Sequence, residues 1–305
     1  MAALDGFGDR RYLDGRFGGS RLLNFRVLSW NLFHGRDFPP GPDGEGSGVP
    51  DGGFSWRWLG RPVHGDRHVR LNRDLFREFA AFLAASRWDV ALLQEVPPRW
   101  AHRLAEATGA DGRSTLTSRN WMRPLMSPVA RLRPHLAGSW EGGSNLILVR
   151  GAIPGLEGSR PGARIVDYRH TTLTWRPERR VVSVVELECG LAIANFHAST
   201  GENAAGDVMR AARLAAGREE GKPLLFGGDF NARPRSSDVF ERLEAGFDLS
   251  GVTGPGSIDH LLVRGVEVLE PATAWPAARR EVPDSRSDLM IRLSDHAPVV
   301  VRIKV

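Results

Sequence analysis

A chain of 305 residues, 41% hydrophobic and 25% charged, has the balance of a soluble globular protein and enough length for a substantial core. No apolar run approaches the roughly 20 residues of a membrane helix, the opening MAALDGFGDRRYLDGRFGG lacks a secretory h-region, and a single cysteine, Cys189, excludes an intrachain disulfide. A cytoplasmic enzyme or binding protein is expected, and the formal charge of +5, carried almost wholly by arginine, leans toward a phosphate-bearing partner.

Residues 1–24 are rich in Gly and Arg and read as a loose arm ahead of one domain over 25–305. FRVLSWN (25–31) reads as a strand, and a Gly/Pro/Asp-rich loop follows to about residue 65. Leu71, Leu75, Phe79, Phe82 and Leu83 recur on one face, which predicts a helix over 70–86. DVALLQEV (89–96) reads as a buried strand, and PPRWAHRLAEATGA as a helix that starts on proline and stops at Gly109. GSNLILVR (143–150), RHTTLTW (169–175), RVVSVVELE (180–188) and GLAIANFHA (190–198) are strand-like, and 202–220 is helical. PLLFGGD (223–229), SIDHLLVRG (257–265) and APVVVRIKV (297–305) complete the strands. Strands and helices alternate first and strands cluster later, which predicts a mixed α/β sandwich: two β-sheets face to face with helices outside.

The strands share an oddity. Each apolar run ends in, or is entered through, polar groups: Asn31, Glu95, Asn195 with His197, Asp229 with Asn231, Asp259 with His260, and Asp295 with His296. A carboxylate or amide emerging from a core costs several kcal/mol, about 2–7, unless something compensates. A hard divalent cation would compensate, because Mg²⁺ takes carboxylate oxygens and keeps other positions for water and phosphate. Taken singly, each residue fits a cap or turn, and the glycines of GGDFN fit a tight turn. His34, His64, His68, His102, His135 and His170 lack such a setting and read as solvated or structural.

In order, SWN, LLQEV, NFHA, GGDFN, SIDHLLV and SDHAPV resemble the endonuclease/exonuclease/phosphatase family, from about Phe25 to the carboxyl terminus. The resemblance implies a DNase-I-like four-layer α/β/β/α sandwich of two mixed sheets and a Mg²⁺-dependent phosphoesterase, with Mn²⁺ as an alternative ion. It makes Glu95 the principal metal ligand, with Asn31 beside it on the ion or on phosphate, and Asp295 a further metal contact. Asp229 would orient or deprotonate the attacking water, and Asn231 would bind a phosphate oxygen. His296, held by Asp259, would be a general base or a charge stabiliser. His197 would donate to phosphate or protonate the leaving oxygen, with Asn195 and Arg180 as substrate contacts.

Two departures matter. AP endonucleases place a tyrosine near the scissile phosphate, whereas Tyr12 and Tyr168 lie at no matching station. Where pancreatic deoxyribonuclease pairs its histidine with a carboxylate, this chain offers the arginines of PERRVVSVVEL, which weakens His197 as an acid. From 112 to 140 there is no acidic residue, and Arg113, Arg119, Arg123, Arg131 and Arg133 accompany Trp121 and Trp140. Residues 54–73 mix Phe54, Trp56 and Trp58 with five arginines. Basic residues among aromatics suit a nucleic-acid strand, or else the tryptophans pack beneath loops. A nuclease is the first expectation. A small-molecule or lipid phosphoesterase, and a phosphate-binding module without catalysis, are the others.

Overall fold

The computed structural model describes residues 23–41, 59–118, 123–153, 155, 157–176, 178–217 and 221–305. The predicted arm through residue 22, the aromatics Phe54, Trp56 and Trp58, and Arg119 and Trp121 lie outside the described residues. Leu23, assigned to the arm, is tied into the fold by exchanging backbone hydrogen bonds with Val305 at 3.1 and 2.9 Å.

The first sheet contains β1 (Asn24–Asn31), β4 (Val90–Val96), β5 (Ala110–Thr117), β6 (Gly143–Arg150), β12 (Glu267–Ala274) and β15 (Val299–Lys304). Their order across the sheet is β12-β15-β1-β4-β6-β5. The second contains β7 (Ile165–Thr174), β8 (Arg180–Leu187), β9 (Ala192–His197), β10 (Leu224–Asp229) and β11 (Asp259–Arg264), in the order β11-β10-β9-β8-β7. Two-stranded ribbons, β2 (Val63–His64) with β3 (Val69–Arg70) and β13 (Glu281–Pro283) with β14 (Met290–Arg292), lie outside both.

Each large sheet has one parallel pair, β1 with β4 and β9 with β10. A parallel pair needs a crossover, and helices α1 (Phe76–Ala85) and α5 (Asn203–Ala216) supply the two. Alternation of side chains then sorts the core. Phe25 and Val27 of β1, with Val90 and Leu92 of β4, meet Ile193, Leu225 and Leu261 between the sheets. Leu28, Trp30, Ala91 and Leu93 point the other way, onto α1 and α2 (Ala101–Thr108). On the second sheet Ala194, Phe196 and Phe226 face α5 and α6 (Val239–Phe247). The order of layers is helix, sheet, sheet, helix, as the sequence predicts.

Several elements differ from expectation. The first helix starts at Phe76 rather than 70, because Asp74 Oδ1 accepts the Phe76 N–H at 2.9 Å and the preceding residues build β3. The segment 112–140, given no element from sequence, holds most of β5 and two helices, α3 (Arg123–Leu132) and α4 (Pro134–Glu141). Pro134 opens the second of these, where its missing N–H costs no hydrogen bond. The two glycines before Asp229 belong to β10 and not to a turn. A Cβ on Gly227 would lie 2.5 Å from Leu261 Cδ2 and 2.9 Å from Leu92 Cδ1 of the opposite sheet, and one on Gly228 would lie 1.9 Å from the Phe196 carbonyl oxygen. Glycine there lets the sheets close on each other next to the carboxylate. Cys189 sits half-buried in the turn after β8, where burial raises its thiol pKa.

Candidate active site

The topology decides where polar ends collect. In a parallel pair both strands finish at the same rim, so Asn31 and Glu95 end one pair and His197 and Asp229 the other. Antiparallel neighbours begin where those strands end: Arg180 opens β8, Asp259 opens β11, and His296 precedes β15. Register aligns His197, Asp229 and Asp259 in one row across the second sheet. Inward positions of β1 run Phe25, Val27, Ser29, Asn31, from apolar to polar along one strand. The same rim opens into a cleft of about 450 Å³ lined by His34, Glu95, Arg180, His197, Asp229, Asn231 and His296, among others.

Four groups of contacts organise the cleft. His296 Nδ1 lies 2.7 Å from Asp259 Oδ2, and its Nε2 faces Asp229 Oδ2 at 3.8 Å. Asp229 Oδ2 also receives Asn31 Nδ2 at 3.1 Å and lies 3.3 Å from His197 Nε2, while its Oδ1 accepts the Asn231 N–H at 3.0 Å. Glu95 lies 3.2 Å from His34 Nε2 and 3.9 Å from His197 Nδ1. Arg180 Nη1 sits 3.2 Å from His197 Nδ1 and its Nη2 3.0 Å from Glu178 Oε2. Since guanidinium only donates, His197 Nδ1 is an acceptor and its proton is on Nε2, toward Asp229.

The shell behind these residues is bonded in turn. Asn31 Oδ1 accepts the Phe33 N–H at 2.9 Å, and Ser294 Oγ donates to the Asn31 carbonyl at 2.6 Å and accepts the His296 N–H at 3.1 Å. Trp30 Nε1 holds the His296 carbonyl at 2.9 Å. Asn231 Nδ2 donates to the Ala198 carbonyl at 3.0 Å. Glu95 and Asn231 have left-handed backbone, φ 49° in each, which turns the side chain into the cleft as the strand ends.

Electrostatics differ sharply within a few ångströms. Burial pushes the Glu95 carboxyl up, but His34, His197 and Arg36 outweigh it and hold the pKa at about 2. Burial, reinforced by Arg180, lowers His197 to about 3, so its imidazole is neutral. Burial also opposes a charge on His296, yet Asp259, joined by Asp229 and Asp295, raises it to about 10. Asp229 is raised by burial and by the Asp259 carboxylate. Asp295 is raised by burial, with Glu95 adding to the shift.

Nine of the ten predicted site residues, Asn31, Glu95, Arg180, His197, Asp229, Asn231, Asp259, Asp295 and His296, meet at this rim. Asn195 does not. It is fully buried between the sheets, accepting from Gln94 Nε2 at 2.8 Å and donating to the Leu93 and Leu146 carbonyls at 3.1 Å each. An inward position two residues deeper than His197 explains this: Asn195 ties the sheets together and reaches no substrate. His260 points to the opposite face from Asp259, packed against Phe230 and Phe240. The histidine that sequence reasoning missed is His34, taken as solvated or structural but placed against Glu95. Its signal was position: three residues past Asn31, beside Gly35, in the turn leaving the first strand.

Comparison with known proteins adds to the geometry. The model of the endonuclease/exonuclease/phosphatase family matches residues 28–296. An endonuclease/exonuclease/phosphatase family protein from Bacteroides thetaiotaomicron is 16% identical, with 93% of this chain and 98% of that chain covered and a TM-score of 0.56. The mannosyl-6-phosphatase Bt3783 of the same species is 17% identical, covering 92% and 99%, with a TM-score of 0.54. TDP2 from Caenorhabditis elegans is 15% identical, covering 92% and 75%, with a TM-score of 0.51. These likenesses show the fold. No curated protein matches the chain.

Proposed function

The chain belongs to the endonuclease/exonuclease/phosphatase family, whose members are phosphoester hydrolases, and from that premise we propose that it is a divalent-metal-dependent phosphodiesterase acting on a nucleic-acid strand. The observation that carries the chemistry is the convergence of Glu95, Asp229, Asn231 and the Asp259–His296 pair on one cleft.

The residues fit a hard divalent cation. Burial raises the Asp295 carboxyl and the Glu95 charge adds to the shift, a repulsion that a cation beside the two carboxylates would relieve. Asn31, with one lone pair of its oxygen engaged by Phe33 N–H and its nitrogen turned to Asp229, orients carboxylates in this reading. Asp229, Asp259 and His296 also present ligand atoms within 4.8 Å of one another, but His296, raised against the effect of burial to about 10, chiefly by Asp259, carries a proton on both nitrogens and has no lone pair for a metal. Glu95 and Asp295 are therefore the assigned ligands, with Mg²⁺ or Mn²⁺ as the ion. Such an ion, when bound, neutralises charge on the non-bridging and leaving oxygens of a phosphodiester.

The chain's own groups divide the remaining work. His296 carries its proton well above neutrality, so it acts as an imidazolium that donates from Nε2 to the phosphate. That leaves Asp229, with its raised pKa, as the base that takes a proton from the attacking water. Asn231 has one amide N–H on the Ala198 carbonyl, and the second is available to a phosphate oxygen. His197, neutral and fixed by Arg180, is a hydrogen-bond donor from Nε2 and not a proton source. The leaving oxygen takes its proton from solvent on the open side of the cleft.

The substrate class rests on the turn between β7 and β8. Trp175 is 70% exposed there, with the Arg179 guanidinium 5.8 Å from its ring and Arg180 at the cleft wall. An exposed tryptophan beside arginine, next to a phosphate site, is a stacking platform for a base. The name of one neighbour, a mannosyl-6-phosphatase, keeps a sugar phosphate as the second reading, since one fold hosts many substrates. A panel of single-stranded DNA, RNA, plasmid, sugar phosphates and inositol phosphates, each with Mg²⁺ and Mn²⁺, tests the choice. Trp175→Ala should raise KM for a nucleic-acid strand roughly tenfold, as loss of a stacking contact does. Turnover confined to sugar or inositol phosphates, unaffected by Trp175→Ala, would overturn the nucleic-acid reading.

A further inference from the structure

We infer that His34 is a nitrogen ligand of the cation held at Glu95, and that it shifts the site's preference from Mg²⁺ toward Mn²⁺ and other imidazole-binding divalent metals. This rests on the metal reading above and adds a residue to it. His34 is 8% exposed, and its Nε2 lies 3.2 Å from Glu95 Oε2 at the cleft wall. Ligand atoms on adjacent corners of an octahedron with bonds of about 2.1 Å are about 3 Å apart, so this contact has the length of one edge around a shared ion.

The other ring nitrogen supports the same orientation. His34 Nδ1 is buried without a well-formed hydrogen bond, and the Gly142 carbonyl lies beside the imidazole. A metal-bound histidine characteristically turns its second N–H toward a backbone carbonyl or carboxylate, which fixes the tautomer with the free lone pair toward the metal. The second imidazole near Glu95 is differently placed: His197 Nδ1 is 3.9 Å from Oε1 and accepts from Arg180 at 3.2 Å. His34 is thus the ring with a nitrogen to offer. Oxygen-only sets suit Mg²⁺, whereas an imidazole favours first-row transition metals over it.

Pulsed electron paramagnetic resonance on the full-length protein loaded with Mn²⁺, without substrate, reads the ligand directly. The wild type should show hyperfine coupling to a histidine nitrogen. His34→Asn keeps a residue that tolerates the left-handed φ of 53° at this position, and it should lose that coupling. By titration calorimetry, His34→Asn should weaken Mn²⁺ binding roughly tenfold or more and Mg²⁺ binding less. Mn²⁺ bound to the wild type with no nitrogen coupling, or a coupling that survives in His34→Asn, overturns this inference and leaves the phosphodiesterase reading standing. No Mn²⁺ or Mg²⁺ bound to the wild type overturns both.

Discussion

His296 lies 2.7 Å from Asp259, and in the proposed mechanism that contact leaves Asp229 as the residue that accepts a proton from water. An imidazole raised to about 10 by a neighbouring carboxylate is already protonated at neutral pH, so in the proposed mechanism it donates and stabilises charge. Asp229 is raised by burial and by Asp259, which moves a weak base toward the working pH. The signs give a pH profile. Activity rises as Asp229 ionises, in a range above that of an ordinary carboxylate, and falls as His296 loses its proton near pH 10. Asp259→Asn removes the principal group that raises His296, so the alkaline limb of kcat/KM should move to lower pH, with a loss of about 10²–10⁴ in rate at the optimum. An alkaline limb unmoved by Asp259→Asn would remove His296 from this role. His197 illustrates the reverse case: burial, with arginine where a carboxylate would raise the pKa, leaves a neutral ring. That reversal was legible in PERRVV, because Arg180 opens the strand beside β9.

Strand β10 explains why a buried apolar run passes into a carboxylate with two glycines between. Leu225, Gly227 and Asp229 share the inward face, and a Cβ on Gly227 would lie 2.9 Å from Leu92 Cδ1 of the opposite sheet. Gly227→Ala places a methyl 2.5 Å from a flexible leucine end, an overpacking that should cost about 1–3 kcal/mol. Gly228→Ala drives a methyl into the Phe196 backbone oxygen at 1.9 Å with φ at 141°, a clash that no rotamer change relieves. Denaturant unfolding should rank Gly228→Ala as the more damaging of the two, and equal stabilities would contradict the packing described. The strands and the two crossover helices were legible because strong apolar patterns mark them. β5 and β12 were not, since ADGRSTLT and EVLEPATA lack clean alternation, nor were the short ribbon strands β2, β3, β13 and β14, and α3 and α4 were hidden by prolines at 124, 128 and 134. Asn195 looked like a site residue because motif reading stops at residue type. Two positions of depth separate a group that reaches solvent from one that bonds the other sheet. His34 was overlooked for the complementary reason, since its position depends on a left-handed turn that composition does not announce.

Across the molecule, the arrangement of parallel pairs brings six separated strand ends to one rim, and this convergence was readable from the order of the motifs. The substrate was not readable, because it depends on loops where residue type says little about exposure. Trp140, near the end of α4, and Trp175, in the turn after β7, are exposed, at 51% and 70%, so neither packs beneath a loop. Arg179 and Arg180 beside the cleft predict that binding of a single-stranded oligonucleotide weakens steeply with salt, with a log–log slope of about −0.7 for each phosphate contact. Affinity independent of salt between about 50 and 200 mM would argue for a small uncharged-rim substrate instead. The central claim is that a divalent ion at Glu95 makes this cleft hydrolyse phosphodiesters, and hydrolysis of bis(p-nitrophenyl) phosphate with Mg²⁺ or Mn²⁺ measures it directly. Turnover should stop in excess EDTA, return when the ion is restored, and be lost in Glu95→Ala. Full turnover that persists in excess chelator, or in Glu95→Ala, would contradict the account.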